Sequence, residues 1–442
     1  VPEGDIVAVD FELTDRQRAL KRNAREFARE VLRPAAEAAD RIADPHEAFR
    51  AMKPVYEQAA AAGMTTMFLP AEYGGGGASN VDFLIAIEEL CAVDPGFPTI
   101  LLVNGLALMP VLWHGTDEQR ERWLGYATGP RRSDFLAGWA VSERGGTANF
   151  DHPSPRAGIQ LLAELDAATD EYVLTGEKHW PCNSGGWDLD GADMSVCIVR
   201  TDRSGGGTEA LSAIIVERGT PGITYESIDK LAHRTCQNVT MTFRGARVPA
   251  ANLLCPGDGD LLISRNFTWS GPIAAIASVG VARGAYDFAL KWAKSYTGGG
   301  AGPIIEHQAV GHLLTDIAAR IEAARYFCWK AAHYLDAHPD GGHAIGAMNK
   351  TFCGDLMQRV VFDCMRLVGV NALDTRFPLA RLYRESVVFP LYDAGNLGMQ
   401  RRRAWGVMAD RGFSPDTFVD GDPLPFTKAM EGYGAGGVPG LP

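Results

Sequence analysis

Residues 171–188 read EYVLTGEKHWPCNSGGWD. EYVLTG is a short aromatic and β-branched run closed by a glycine, which predicts a strand, and the Pro and the Gly pair that follow predict a strand end breaking into a turn. MSVCIVRT, LSAIIVERG and VTMTFRGARV further along have the same character. In the last of these Val239, Met241 and Phe243 recur at every second residue and so share one face. Gly- and Pro-rich segments such as RSGGGTE and GTPGI separate the runs. Residues 134–257 are therefore expected to form a compact antiparallel β domain, a barrel or a small sandwich.

On both sides of this stretch the apolar period lengthens to that of a helix. In TDRQRALKRNAREFAREVL, Leu20, Ala24, Phe27, Ala28 and Val31 recur at three or four residues behind Thr14 or Asp15 as a cap, and similar signals continue through an N-terminal α-helical domain, 1–133. In IIEHQAVGHLLTDIAARIEAARYFCWKAA, Val310, Leu313, Leu314, Ile317, Ile321, Ala324 and Cys328 form one stripe, which predicts a C-terminal helical bundle over 258–420. TGGGAGP, 297–303, reads as a flexible link, and the Gly- and Pro-rich residues 421–442 as a flexible tail. The fold class is α+β, in the order helices, β, helices.

The chain has 442 residues, 46% of them hydrophobic, enough for two or three buried cores. Its formal charge of -12 gives no basic field to attract nucleic acid or an anionic membrane. Cys91, Cys182, Cys197, Cys236, Cys255, Cys328, Cys353 and Cys364 show neither CxxC nor metal-ligand spacing, which predicts reduced thiols in the cytoplasm. VPEGDIVAVDFELT lacks the pattern of an export signal, and no run is read as approaching a membrane span. The tetraglycine Gly74 to Gly77 follows no strand and lacks the Lys-Ser/Thr of a phosphate loop. His307 and His312 lie five residues apart on one helix, on different faces, so no metal is assigned.

Two stretches carry chemistry. Ser142-Glu143-Arg144-Gly145-Gly146-Thr147-Ala148-Asn149 combines small residues and hydroxyls, so that backbone N–H groups can approach a cofactor ring or pyrophosphate, although alone it is an ordinary turn. Trp180 and Trp187 bracket the second; aromatics so placed more often plug a core than flank a cofactor. By composition alone Asp393 in FPLYDAGN is a turn residue, and Arg401 to Arg403 a solvated helix face.

SERGGTANF, GEKHWPCNSGGWD, IIEHQAV and RLVGVNALDTRFPLARLYRE leading into FPLYDAGN, taken in this order, resemble the acyl-CoA dehydrogenase superfamily and, within it, the nitroalkane oxidases, from about Phe11 to Arg411. The resemblance implies an acyl-CoA dehydrogenase-like fold, a homotetramer, and FAD between the β domain and the C-terminal helices, completed by a neighbouring subunit. By position, Trp139, Val141, Ser142, Gly146 and Thr147 would line the flavin and pyrophosphate. Trp180 would pack on the ring, Cys182 would face the flavin's N5, and Gln308, Gly369, Gly395 and Leu397 would meet the rest of the cofactor.

Asp393 falls where the family carries its catalytic acid, a Glu in the common dehydrogenases and an Asp in nitroalkane oxidases, and Ser270 where a serine supports that Asp. Taken alone, a lone Ser in an apolar helix bonds back to its own backbone. The implied reaction removes the α proton of a small nitroalkane at Asp393, and its oxidation gives an aldehyde or ketone, nitrite and, with dioxygen, hydrogen peroxide. The alternatives are α,β-desaturation of an acyl-CoA or acyl-carrier thioester with an electron-transfer partner as acceptor, another flavin-dependent oxidase or an N-oxygenase, and a flavoprotein scaffold that acts by binding.

Three positions depart from the pattern. Gln400 occupies the place, seven residues after the acid, of a family Arg. Either Arg401 swings in to hold Asp393 ionised, or the pKa of Asp393 rises. Cys182 replaces a hydroxyl with a weaker donor. Residues 296–303 contain no Lys or Arg to reach the FAD phosphates across the interface, which leaves the cofactor held less tightly or its phosphates met by another residue.

Overall fold

The structure, a computed structural model, describes residues 11–130, 133–152, 154–339, 341–410 and 413–416. The tail expected at 421–442 lies outside the described residues.

The chain begins as a helix layer. Helix α1 (Asp15–Phe27) starts at Thr14, whose hydroxyl accepts from the Gln17 N–H while the Gln17 side chain accepts from the Thr14 N–H, so two orphan donors are satisfied reciprocally. It runs through a π turn, Ala28–Leu32, into α2 (Arg33–Ala39), and α3 (Pro45–Arg50) and α4 (Lys53–Ala61) follow. Helices α5 (Asn80–Cys91) and α6 (Gly96–His114) are buried almost all round, and α7 (Asp117–Thr128) closes the layer.

Among the described residues eight strands follow: β1 (Ala137–Ala140), β2 (Leu162–Asp166), β3 (Glu171–Cys182), β4 (Met194–Arg200), β5 (Leu211–Glu217), β6 (Ile223–Ser227), β7 (Asn238–Pro249) and β8 (Leu253–Leu254). Their order is β6-β7-β3-β1-β4-β5-β8, with β2 between β3 and β4 beyond the end of β1. The strands are not antiparallel throughout, as expected from the sequence, because β1 and β2 both run parallel to β4. A parallel pair needs a long crossover, and residues 141–193 supply it. In β1 all four residues are buried, which leaves no alternation to read.

Strand β4 is buried on both faces: Met194, Val196 and Ile198 join the helical core, while Cys197 and Val199 face Val239, Met241 and Phe243 of β7 in a second core inside the sheet. The sheet therefore curls until β5 and β7 share one interior.

Helix α8 (Gly259–Ser295) is the axis of the C-terminal bundle and packs on α5, α6, α9 (Gln308–Ala337), α10 (His343–Val368) and α11 (Pro378–Ser386); α12 (Arg401–Ala409) ends the described fold against α10. Helix α6 and Leu262–Ser295 of α8 are long and apolar enough to cross a membrane by composition alone, which corrects the expectation of no such run. They are 83% and 67% buried within the fold, as core helices are.

Candidate active site

The turn after β1 is fixed by a buried charge. Lys178 on β3 is inaccessible to solvent, and its Nζ donates to the Val141 carbonyl at 2.9 Å and to Glu143 Oε1 at 2.8 Å. Glu143 also accepts the Leu161 N–H at 2.9 Å and the Gln160 N–H at 2.7 Å, and the His179 N–H reaches the Ser142 carbonyl at 2.8 Å. Burying a lysine costs heavily unless it is paired and hydrogen-bonded, and here it is both. Both charges sit inside the quoted motifs, but their pairing across 35 residues is tertiary and had no sequence signal.

Trp139 pairs with Cys182 across β1 and β3 and is buried, with its indole N–H lacking a hydrogen-bond partner among the described residues. A β-bulge between His179 and Cys182 turns Trp180 outward at φ +76°, leaving it 49% exposed at the end of a strand that is otherwise largely covered. Gly146 has φ +89°, which a side chain disfavours, and open space where a Cβ would stand. Thr147 lies beside it, half-buried. The structure thus brings Trp139, Val141, Ser142, Gly146, Thr147, Trp180 and Cys182 to one end of the sheet.

Asp393 stands at the start of three consecutive left-handed residues, Asp393, Ala394 and Gly395, with φ +49°, +71° and +54°. Left-handed non-glycine residues cost on the order of 1–3 kcal/mol each, so the surroundings must impose them. They do: the buried Lys350 ammonium donates to the carbonyls of Phe389 (3.0 Å) and Tyr392 (2.6 Å) and to Asn396 Oδ1 (2.7 Å), and the Asn396 N–H returns to the Pro390 carbonyl at 2.8 Å. A π turn, Gly395–Gln400, follows before α12.

As a residue Asp393 is half-buried, yet its Oδ2 is covered and has no hydrogen-bond partner among the described residues. Oδ1 accepts from Ser270 Oγ at 2.7 Å. Ser270, fully buried on α8, therefore does not bond only to its own helix as a lone serine is expected to. Burial pushes the Asp393 carboxyl above the ordinary carboxylate range, and Lys350, the Ser270 hydrogen bond and Arg403 pull it part of the way back.

The residues after the acid divide the roles differently from the sequence reading. Arg401 does not swing in, because its guanidinium pairs with Asp355 at 2.5 Å on the exposed side. Gln400 is buried and donates to the Asp393 carbonyl at 2.9 Å, while its own Oε1 accepts from Arg403 Nη1 at 2.8 Å. Arg403, one helical turn further on, is 7% exposed and also donates to Ser264 O at 2.8 Å and Thr268 Oγ1 at 2.5 Å. Sequence reasoning missed Arg403 and Lys350: a run of three arginines does not say which one faces inward, and the lysine lies in a separate helix.

Two contacts bring this segment to the turn. Arg402 pairs with Asp151 at 2.9 Å, and a Cβ on Gly398 would stand 3.6 Å from that of Ala148. Gly395 is open where a Cβ would stand, and Leu397 is 85% exposed. Gln308 begins α9 and Gly369 ends α10 at φ +73°, both on the surface.

Residues 14–129 match the family model of the acyl-CoA dehydrogenase N-terminal domain, and residues 257–405 that of the C-terminal domain. Nitroalkane oxidase of Fusarium oxysporum is 33% identical over 430 residues, spanning 92% of this chain and 96% of that one. The chain belongs to the acyl-CoA dehydrogenase family. Two solved nitroalkane oxidases, an active-site Asp-to-Asn mutant crystallised with 1-nitrooctane and an active-site Ser-to-Ala mutant crystallised with 1-nitrohexane, each share its fold with a TM-score of 0.88 over 94% of this chain and 100% of theirs, at 30% and 31% identity.

As a member of this family the protein is an FAD-dependent oxidoreductase. The sheet end fits that cofactor. Trp139 offers a buried indole N–H with no protein acceptor, Trp180 an uncovered aromatic face, and Gly146 the clearance for a close backbone approach to phosphate.

Proposed function

We propose that this oxidoreductase is a nitroalkane oxidase-like enzyme in which Asp393 removes the α proton of a small nitroalkane. The observation that carries this reading is the acid itself: an Asp, not a Glu, with one oxygen held by Ser270 at 2.7 Å and the other covered and unpartnered. Asp and Ser are also the residue types altered in the active-site mutants of the solved nitroalkane oxidases.

A general base must be within hydrogen-bond reach of the proton it takes, and Oδ2 is the oxygen left for that contact. Asp is one methylene shorter than Glu, so the reacting carbon sits closer to the backbone, a geometry suited to a small substrate. Ser270 orients the carboxylate, while Gln400 holds the main chain of Asp393 and links it to Arg403. FAD, when bound, supplies the two-electron oxidation. Trp139, Val141, Ser142, Gly146, Thr147, Trp180 and Cys182 are assigned to hold it from one subunit, and Gln308, Gly369, Gly395 and Leu397 to complete its site with a neighbour. The overall products are an aldehyde or ketone, nitrite and, with dioxygen as acceptor, hydrogen peroxide.

A homotetramer is supported by the apolar side chains left exposed along the C-terminal helices and their connections, among them Phe362, Val370, Leu373, Leu397 and Trp405. Eight free cysteines suit a reducing cytoplasm.

The test is anaerobic mixing of FAD-loaded protein with nitroethane, followed by admission of air. Bleaching of the flavin and then nitrite release are expected, and Asp393→Asn should lose about 10²- to 10⁴-fold in rate while retaining FAD. Bleaching by butyryl-CoA in place of nitroethane would make the protein a thioester dehydrogenase instead.

A further inference from the structure

Four of the eight buried cysteines fall into two neighbouring pairs with different surroundings. Cys328 on α9 and Cys353 on α10 have their sulfurs 3.7 Å apart in the helical core, where they meet the Asn349 amide and the Ala324 carbonyl. The second pair lies at the sheet end described above. Cys182 closes β3 opposite Asn238 of β7, and Cys236 lies two residues before Asn238 in the segment entering β7, so the two thiols are neighbours at one strand end and interact electrostatically.

Among the described residues, only the second pair has an ammonium built against it. Lys230 Nζ stands 3.3 Å from Cys236 Sγ and is anchored by the Cys236 carbonyl at 2.8 Å and by Asn238 Oδ1. Asn238 is in turn the cross-strand partner of Cys182 and donates to the Trp180 carbonyl at 2.6 Å. The lysine, its anchors and both sulfurs are thus tied to one strand end. Cys236 also meets the His233 carbonyl at 3.3 Å, and Cys182 the Asn183 Oδ1 at 3.3 Å.

We propose that Cys236, Cys182 and Lys230 form a second reactive centre whose substrate is a hydroperoxide. The Cys236 thiolate, paired with Lys230, attacks one peroxide oxygen; the O–O bond breaks, sulfur is oxidised to a sulfenic acid, and the other oxygen leaves as water after taking a proton. The Cys182 sulfur then displaces the sulfenic oxygen, which leaves as a second water, and an S–S bond closes. Two thiols and one hydrogen peroxide thereby become one disulfide and two waters, and a small-molecule thiol restores the pair.

The neighbouring Cys182 and Lys230 draw the Cys236 thiol below the ordinary thiol range against the cost of burial, with Asp94 opposing. Burial and the neighbouring Cys236 push Cys182 well above the ordinary thiol range. Lys230 hydrogen-bonds to the Cys236 sulfur, which gives that sulfur the attacking part and leaves Cys182 to resolve. The centre goes beyond the nitroalkane reading, since it needs only peroxide from any source. Its position explains why it matters to the enzyme: Cys182 is the residue assigned to face the flavin, and closing the disulfide removes its S–H.

The experiment treats FAD-loaded protein with hydrogen peroxide under native conditions, quenches with an alkylating reagent in denaturant, and maps the peptides by mass spectrometry. A Cys182–Cys236 disulfide that dithiothreitol reverses is expected, with Cys328 and Cys353 still alkylated. Lys230→Gln should slow its formation by roughly tenfold or more, and Cys182→Ser should leave Cys236 as a sulfenic acid that dimedone traps. The proposal is overturned if Cys182 and Cys236 stay reduced in the folded wild type, if Cys328 and Cys353 oxidise as fast, or if folded Lys230→Gln reacts at the wild-type rate. Should Lys230→Gln not fold, the comparison of the two thiol pairs in the wild type decides.

Discussion

A carboxylate takes a proton only when it is ionised, so the central question at residue scale is what keeps Asp393 charged. Burial works against it, and the answer comes from outside its own segment: Lys350 beneath the turn, Ser270 from α8 and Arg403 from the next helical turn. The balance remains above the ordinary carboxylate value. On the proposed role of Asp393, activity toward a nitroalkane should rise with pH through an acid limb set higher than that of a free Asp. A hydrogen bond to a charged group contributes roughly 1.5–3 kcal/mol, so Ser270→Ala should move that limb up by about one to two pH units. Arg403→Met should shift it the same way, and Arg401→Gln, which loses only the pair with Asp355, should not. The pH dependence of kcat/KM checks all three; an unmoved limb in Ser270→Ala would remove the serine from the site.

At the scale of elements, the strand-to-turn junctions carry the site, and they are pinned by buried pairs. Lys178 on β3 holds the 142–150 turn through Glu143, and breaking a buried pair from one side costs about 3–5 kcal/mol because the other charge is stranded. Lys178→Met should lower the melting temperature and release FAD on gel filtration before the fold is lost, while adding Glu143→Leu should restore part of the stability. If the single variant melts and retains FAD as the wild type does, the turn is held by something else. The alternation of Val239, Met241 and Phe243 made β7 legible, and the Thr14 cap made α1 legible. Strand β1 was not legible, because it is four residues long, buried on both faces and paired parallel to a strand 54 residues away.

Across the whole molecule, the two helical layers meet on a charge cluster. Glu88 on α5 accepts from Arg325 of α9 at 2.8 Å and from Arg283 of α8 at 2.9 Å, and Glu89 pairs with Arg283 at 2.8 Å and with Arg25 of α1 at 2.9 Å. Burial opposes the ionised form of Glu88, but the hydrogen bonds and charge of Arg325, with Arg283, hold its carboxyl below the ordinary value. A depressed carboxyl contributes stability that is complete above its unfolded pKa and is lost as pH falls through its folded pKa. Acidification below the ordinary carboxylate range should therefore loosen the contact between the layers, and thermal melts against pH should show it. Glu88→Gln should melt lower at neutral pH, with a flatter dependence on acid; an unchanged slope would place the acid sensitivity elsewhere.

The sequence by itself determined the order of helices, sheet and helices and the family resemblance, and through that resemblance it pointed to Asp393 as the candidate acid. Periodicity and long motifs are local properties, written within a few turns or one strand. Only the tertiary structure decided that Arg401 faces Asp355 while Arg403 faces inward, that Lys350 sits beneath the acid, that β1 pairs parallel to β4, and that Lys230 stands against Cys236 beside Cys182. Each of these depends on which way a side chain points once distant elements pack, and burial then sets the charge that the side chain can carry.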